Sequence, residues 1–131
     1  MGRALNLSQF QHNVTDGTTT VATTYVTNGS AKVWVNFDGS GTIATRDSNN
    51  VSSLTDDGTG KYTVNISNNM ANDDFAALNY NSGSTASSQT AFNNGFLGGN
   101  GNAVGSFKMS SYTAFFEDCD LVMATVHGDL A

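Results

Sequence analysis

Asp118, Cys119, Asp120 and His127 place an acid, a thiol and a base close together near the C-terminus. A cysteine nucleophile needs a base within hydrogen-bond reach and a positive neighbour to lower its pKa. Carboxylates flank Cys119 on both sides and would raise it, so the pattern argues against catalysis. His12 and His127 lack the spacing of a zinc pair, and a single cysteine offers no second sulfur ligand. It also allows no intrachain disulfide, and reads as a half-buried thiol in a strand. Asp38, Asp47, Asp56, Asp57, Asp73 and Asp74 sit in turn-like sequence where carboxylates could converge on calcium. The EF-hand pattern is absent, however, and Asp and Gly in turns need no metal to explain them. Asp56 and Asp57 are adjacent on one turn, which does not suit two carboxylates flanking a glycosidic bond. Trp34, Tyr25, Tyr62, Tyr80 and Tyr112 could form a carbohydrate-binding face; the plainer reading is half-buried sheet residues. The sequence therefore predicts no enzyme, no cofactor and no metal.

Composition points the same way. At 131 residues the chain fits one domain with a real core. Only 12% of residues are charged, about half the usual share, so Asn, Ser, Thr and Gly must make a neutral polar surface. Those residues suit strands and turns, whereas a helical bundle would want more Ala, Leu, Glu and Lys. The net charge is −6, and Arg3, Lys32, Arg46, Lys61 and Lys108 are scattered, which argues against a nucleic-acid partner. No apolar run approaches the roughly 20 residues of a membrane span, and MGRALNLSQF lacks the apolar core of a signal peptide. Proline is absent, so strand edges lack one protection against pairing unless an oligomer already covers them.

The elements follow from periodicity. Leu5, Leu7 and Phe10 are too irregular to define an element, and residues 1–17 read as an extended arm that docks on a neighbour. Residues 18–131 read as a single domain. TTTVATTYVT predicts a strand from Thr18 that ends at the turn Asn28, Gly29. In AKVWVNF, Val33, Val35 and Phe37 share one face and Lys32, Trp34 and Asn36 the other. A face carrying Trp34 is not a plain solvent face: the ring packs under a loop or meets another subunit. After a tight loop at Asp38 to Gly41, TIATR continues as a short strand anchored by Ile43. Val51 and Leu54, a five-residue turn cluster from Asp56 to Gly60, and the alternating Tyr62, Val64 and Ile66 predict a β-hairpin with a longer or bulged turn.

FAALNYN predicts a further strand, with Phe75, Ala77 and Asn79 on one face and Ala76, Leu78 and Tyr80 on the other. Asn81 to Asn102 reads as an exposed excursion pinned by Phe92, Phe96 and Leu97, one that could wrap a partner subunit. Phe107 and Met109 alternate, Tyr112 to Phe116 leads to a turn at Glu117 and Asp118, and LVMATVHG is apolar on both sides, as a central strand would be. No segment shows sustained helical periodicity.

The run WVNFDGSGTIATRDSNNVSSLTDDGTGKYTVNIS resembles a module of virion proteins from tailed bacteriophages, particularly phages of marine bacteria. There a tryptophan-led strand precedes a glycine turn, an N-V-S-S segment, a D-x-G-T-G turn and a Y-T-V-N strand. The likeness extends more loosely over Asp74 to Tyr80, and DLVMATVHGD resembles the module's closing strand. Asp38 and Asp57 stand where the module usually has a small Asn or Thr. Such modules occur in fibre, tail and head structural proteins.

The expected fold is all-β, an antiparallel sandwich, jelly-roll or immunoglobulin-like, of about seven or eight strands with an N-terminal arm. The resemblance implies a capsid decoration or cement protein on the virion surface, assembled in the host cytoplasm. Its partners would be the major capsid protein and copies of itself, expected as a homotrimer. The alternative is a tail- or head-fibre domain that binds a host surface glycan. A chain with about thirty residues before the module is expected to leave no room for a fibre shaft, which favours decoration. Leu5, Leu7, Phe10, Trp34, Phe92, Phe96 and Leu97 are the expected interface residues.

Overall fold

The computed structural model describes residues 13–15, 20–82, 101–111 and 116–131. The chain divides into two compact units, Met1–Ser30 and Ala31–Ala131. In the first, β1 (Asn13–Thr15) pairs antiparallel with β2 (Thr20–Ala22), and α1 (Thr23–Gly29) follows directly. The strand expected from Thr18 to Thr27 is thus only three residues long, and the rest is helix. β-Branched residues disfavour a helix only weakly. Here Thr27 turns its hydroxyl back to the carbonyls of Thr23 (3.0 Å) and Thr24 (3.2 Å), spending its polar group on the helix itself. Asn28 and Gly29, expected as a turn after a strand, are instead the last two residues of the helix, which is closed by the Ser30 N–H on the Val26 carbonyl at 3.1 Å.

The second unit is an antiparallel β-sandwich of eight strands. One sheet has the order β4 (Ala44–Asn49), β3 (Val33–Asp38), β10 (Leu121–His127), β7 (Ala76–Ser82). The other has the order β5 (Val51–Gly58), β6 (Lys61–Ile66), β9 (Ser106–Ser110), β8 (Asn102–Ala103). The alternation read from the sequence sets the inner faces. Val33, Val35 and Phe37 of β3 and Val122, Ala124 and Val126 of β10 meet Tyr62, Val64 and Ile66 of β6 and Phe107 and Met109 of β9, all buried. Each Val, Ile, Phe or Met among them contributes about 1.5 to 3 kcal/mol on leaving water, the dominant favourable term for a chain with so few charges.

Three joints hold the sheets together. Asn50, in the left-handed region at φ 58°, carries the chain from β4 in one sheet to β5 in the other. Its side-chain oxygen accepts the Asn68 N–H at 2.7 Å while its amide donates to the Asn68 carbonyl at 3.1 Å, clamping the corner to the end of β6. At the opposite end Phe37 and Tyr62 stack edge to face at 5.1 Å across the interior. Near β8, Phe75 does the same with Phe107 at 6.4 Å.

The hairpin of β5 and β6 forms as the sequence predicts, with a shorter turn. β5 runs through Asp56 and Asp57, leaves only Thr59 and Gly60 between the strands, and takes up the extra residue as a bulge between Asp56 and Gly58. The long excursion is also trimmed at both ends: Asn81 is a buried residue of β7 and Asn102 opens β8. Residues 83–100 lie outside the described residues.

Gly60 is the most constrained point of the hairpin. Its φ is +63°, and a Cβ there would stand 2.6 Å from the Ser111 carbonyl oxygen and 2.8 Å from the Glu117 nitrogen, both backbone atoms. Gly41 has nearly the same φ, +60°, but open space around it. Gly41→Ala therefore isolates the left-handed penalty of about 1 to 2 kcal/mol. Gly60→Ala adds backbone displacement and is expected to cost about 3 kcal/mol or more. Urea denaturation of the two variants against the parent checks this; equal losses would contradict the packing at Gly60.

Candidate functional site

Among the described residues, those that could do chemistry do not converge. Cys119 is buried just before β10 and His127 closes that strand, so the length of β10, about 20 Å at an extended rise per residue, lies between them. Asp118 is taken up structurally: its Oδ1 accepts the Gly60 N–H at 2.7 Å and the Tyr62 hydroxyl at 3.4 Å. Four of the six carboxylates weighed for calcium are engaged in hydrogen bonds close by. Asp38 accepts both the N–H (2.9 Å) and the hydroxyl (2.6 Å) of Ser40 and pairs with Arg46 at 3.2 Å. Asp47 accepts the Ser48 N–H, Asp56 the Gly58 N–H, and Asp57 the Thr63 hydroxyl. Among the described residues no group of three or more His, Cys, Asp or Glu comes together. A cleft of about 230 Å³ opens between β7 and β9, lined by Phe75, Ala77, Asn79, Asn102, Phe107 and Met109. That is below the roughly 300 Å³ at which ligand pockets begin.

The two outer faces of the sandwich are unlike each other. On the sheet of β5, β6 and β9, Ser53, Thr55 and Asp57 stand beside Asn65 and Thr63, and the Asn65 amide donates to the hydroxyls of Ser53 (3.0 Å) and Thr55 (3.1 Å). This is a solvated polar ladder, with Lys108 on β9 opposite Thr63. The other sheet presents two cross-strand rows on its outer side. One runs Asn49, Trp34, Thr125, Leu78 and the next Asp47, Asn36, Met123, Tyr80, from β4 through β3 and β10 to β7. Trp34 is 37% exposed and Leu78 56%. Leu78, Tyr80, Met123 and Thr125 line a shallow, mainly apolar groove between β7 and β10.

The strands explain why. β10 is central, as its two-sided apolarity predicts, with Val122, Ala124 and Val126 buried inward and Leu121, Met123 and Thr125 half-buried outward. β7 reverses the usual assignment: its inward residues include Asn79 and Asn81, whose amides both reach the Ser110 carbonyl at 3.4 Å, while Leu78 and Tyr80 point out. Asn36 Oδ1, in the second row, is buried without a hydrogen-bond partner among the described residues.

Of the aromatic residues weighed for a binding face, Trp34 and Tyr80 share this one. Tyr62 lies wholly in the core, Tyr25 is 77% exposed on α1 of the other unit, and Tyr112 is outside the described residues. Leu5, Leu7, Phe10, Phe92, Phe96 and Leu97 also lie outside the described residues, as does His12. Leu78 and Met123, absent from the sequence-derived interface, belong to the face. Their signal was present in the alternation of FAALNYN and LVMATVHG, and only the pairing of β7 with β10 joins them. No family model, no curated protein and no solved structure matches the chain.

Burial pushes the Tyr62 hydroxyl well above its ordinary pKa, with the Asp118 carboxylate adding to the effect. Burial likewise raises the Cys119 thiol, helped by Glu117, Asp120 and Asp118. Both groups hold their protons in the folded state after the unfolded chain has lost them. Stability is therefore full below the ordinary values, 9.0 for the thiol and 10.0 for the phenol, and falls as pH rises through them. Each group can contribute a slope of up to about 1.4 kcal/mol per pH unit. Urea midpoints are expected to drop steeply above about pH 10, and Tyr62→Phe to flatten that drop while lowering the neutral-pH midpoint through the lost bond to the Gly39 carbonyl. An unchanged alkaline slope in the variant would contradict the assignment.

Proposed function

We propose that this chain is a structural protein of a tailed-phage virion, a decoration or cement protein that binds the outer surface of the head. The observation that carries the proposal is the outer face of the β4, β3, β10, β7 sheet. Two neighbouring cross-strand rows there bring the exposed Trp34 and Leu78 together with the half-buried Tyr80 and Met123 on one side of the sandwich. Contiguous exposed apolar groups rimmed by polar residues mark interaction surfaces. The resemblance of Trp34 to Ser67 to a virion module supports the same reading, as does the engagement of Asp38, Asp47, Asp56 and Asp57 in local hydrogen bonds. Cementing requires no chemistry: each copy buries a modest area against the major capsid protein, and many copies on one shell give avidity. The polar opposite face, with its ladder of Ser, Thr and Asn, keeps a coated particle soluble.

The same face supports a second reading. Trp34 sits between Asn49 and Thr125, an aromatic platform flanked by hydrogen-bonding side chains, which is the arrangement a sugar ring stacks on. In that case the chain is a fibre domain that binds a host surface glycan.

Gold-tagged antibody on intact particles separates the two. Label spread over the head is the expected result, and label confined to the tail tip favours the glycan reading. In co-sedimentation with undecorated heads, Trp34→Ala is expected to weaken docking at least about tenfold, equivalent to roughly 1.4 kcal/mol. Docking unaffected by that substitution would remove this face from the interface.

A further inference from the structure

The two sheets of the sandwich have four edge strands, and three of them carry devices that block pairing with another chain. β4 places Arg46 and Asp47 on its edge and has a register shift where it meets β3. β5 carries Asp56 and Asp57 and two register shifts. β8 is only two residues long. Charge, bulges and shortness are the recognised protections of a strand edge. β7 has none of them. Its sequence, Ala-Ala-Leu-Asn-Tyr-Asn-Ser, has no charge and no proline, and it pairs with β10 through seven consecutive residues without a break in register. Among the described residues no strand pairs on its other side.

We propose that β7 is a self-association edge, on which a second copy of this chain pairs its own β7 antiparallel about a two-fold axis. A register centred on Asn79, the middle of the strand, sets Leu78 of each copy against Tyr80 of the other on the outer face. Aliphatic and aromatic side chains directly opposite each other form a favourable cross-strand pair. The pairing is isologous, so it closes at two copies and leaves no open edge to propagate. Charge does not oppose it. The chain carries a net −6, yet β7 has no ionisable side chain and β10 beside it only His127. Two four-stranded sheets then become one of eight, and the apolar rows of Trp34, Met123, Leu78 and Tyr80 become a continuous doubled face. The pairing does not depend on the virion reading; only the use of the doubled face does.

Seven paired residues with their flanking side chains make a small interface, at or below the roughly 1,200 Å² where specific complexes begin. Micromolar association is the result. Sedimentation equilibrium of the full chain across about 1 to 100 µM is expected to show monomer and dimer in exchange. Leu78→Lys, at a side chain already exposed, is expected to weaken the dimer at least about tenfold, about 1.4 kcal/mol, with an unchanged circular dichroism spectrum. Thr45→Lys on the protected β4 edge should leave it intact. Hydrogen exchange needs no variant: protection of the amides of 76–82 should rise with protein concentration. A wild-type monomer throughout the range, a trimer, a dimer indifferent to Leu78→Lys, or concentration-dependent protection elsewhere in place of β7 would each overturn the proposal. A dimer that fails to dock on heads counts against the virion reading alone, and a monomer that docks counts against this pairing alone.

Discussion

The sandwich is fastened at one end by the Tyr62 hydroxyl and the backbone around it. Tyr62 starts on β6, crosses the interior beneath Phe37, and donates to the Gly39 carbonyl at 3.1 Å just beyond β3 in the opposite sheet. Gly39 in turn donates to the Cys119 carbonyl at 2.8 Å, and Gly60 donates to Asp118 while accepting from Ser111. Four stretches distant in sequence thus share one buried hydrogen-bond cluster. Its members leave no room for a side chain: a Cβ on Gly39 would stand 2.5 Å from the Tyr62 oxygen. A buried phenol without partners would cost about 1 to 3 kcal/mol, so the cluster both positions the sheets and requires them to be in place. The apparent acid, thiol and phenol of this region belong to that fastening, which accounts for carboxylates lying beside a thiol with no base in reach among the described residues.

With the sheets fixed, the character of the two outer faces follows from strand order. β10 is central and closes beside β3, bringing Met123 and Thr125 next to Trp34 and Asn36. β7 then joins on the far side and adds Leu78 and Tyr80 to the same surface. The opposite sheet spends its outward positions on Ser, Thr and Asn that bond to one another across the strands. Such asymmetry suits a molecule with one side for a partner and one for water.

Much of the fold was legible because one buried face forces a period of two. Val33, Val35 and Phe37, and likewise Val64 and Ile66, identify their inner positions by alternation alone. The same alternation places Tyr62 inward, although its ring also made it a candidate for a sugar-binding face. The helix at Thr23–Gly29 was not legible, since its run of Thr and Val reads as strand and the deciding bonds are made by Thr27 within the helix. Nor was the Asn50 clamp, which depends on Asn68 across a hairpin. The candidate face was half legible. Trp34 stood out as the only tryptophan, while Leu78 and Met123 acquire meaning only through a pairing of residues more than forty positions apart, which local pattern does not specify.

That single tryptophan is also the most direct probe of the account, because its emission reports the face and nothing else in the chain. Titrating undecorated phage heads into the protein, with acrylamide present as a quencher, would read Trp34 as it docks. A blue shift and protection from quenching that saturate as the heads fill are the expected result. Sedimentation that shows the protein bound while Trp34 stays as accessible as in the free chain would contradict it.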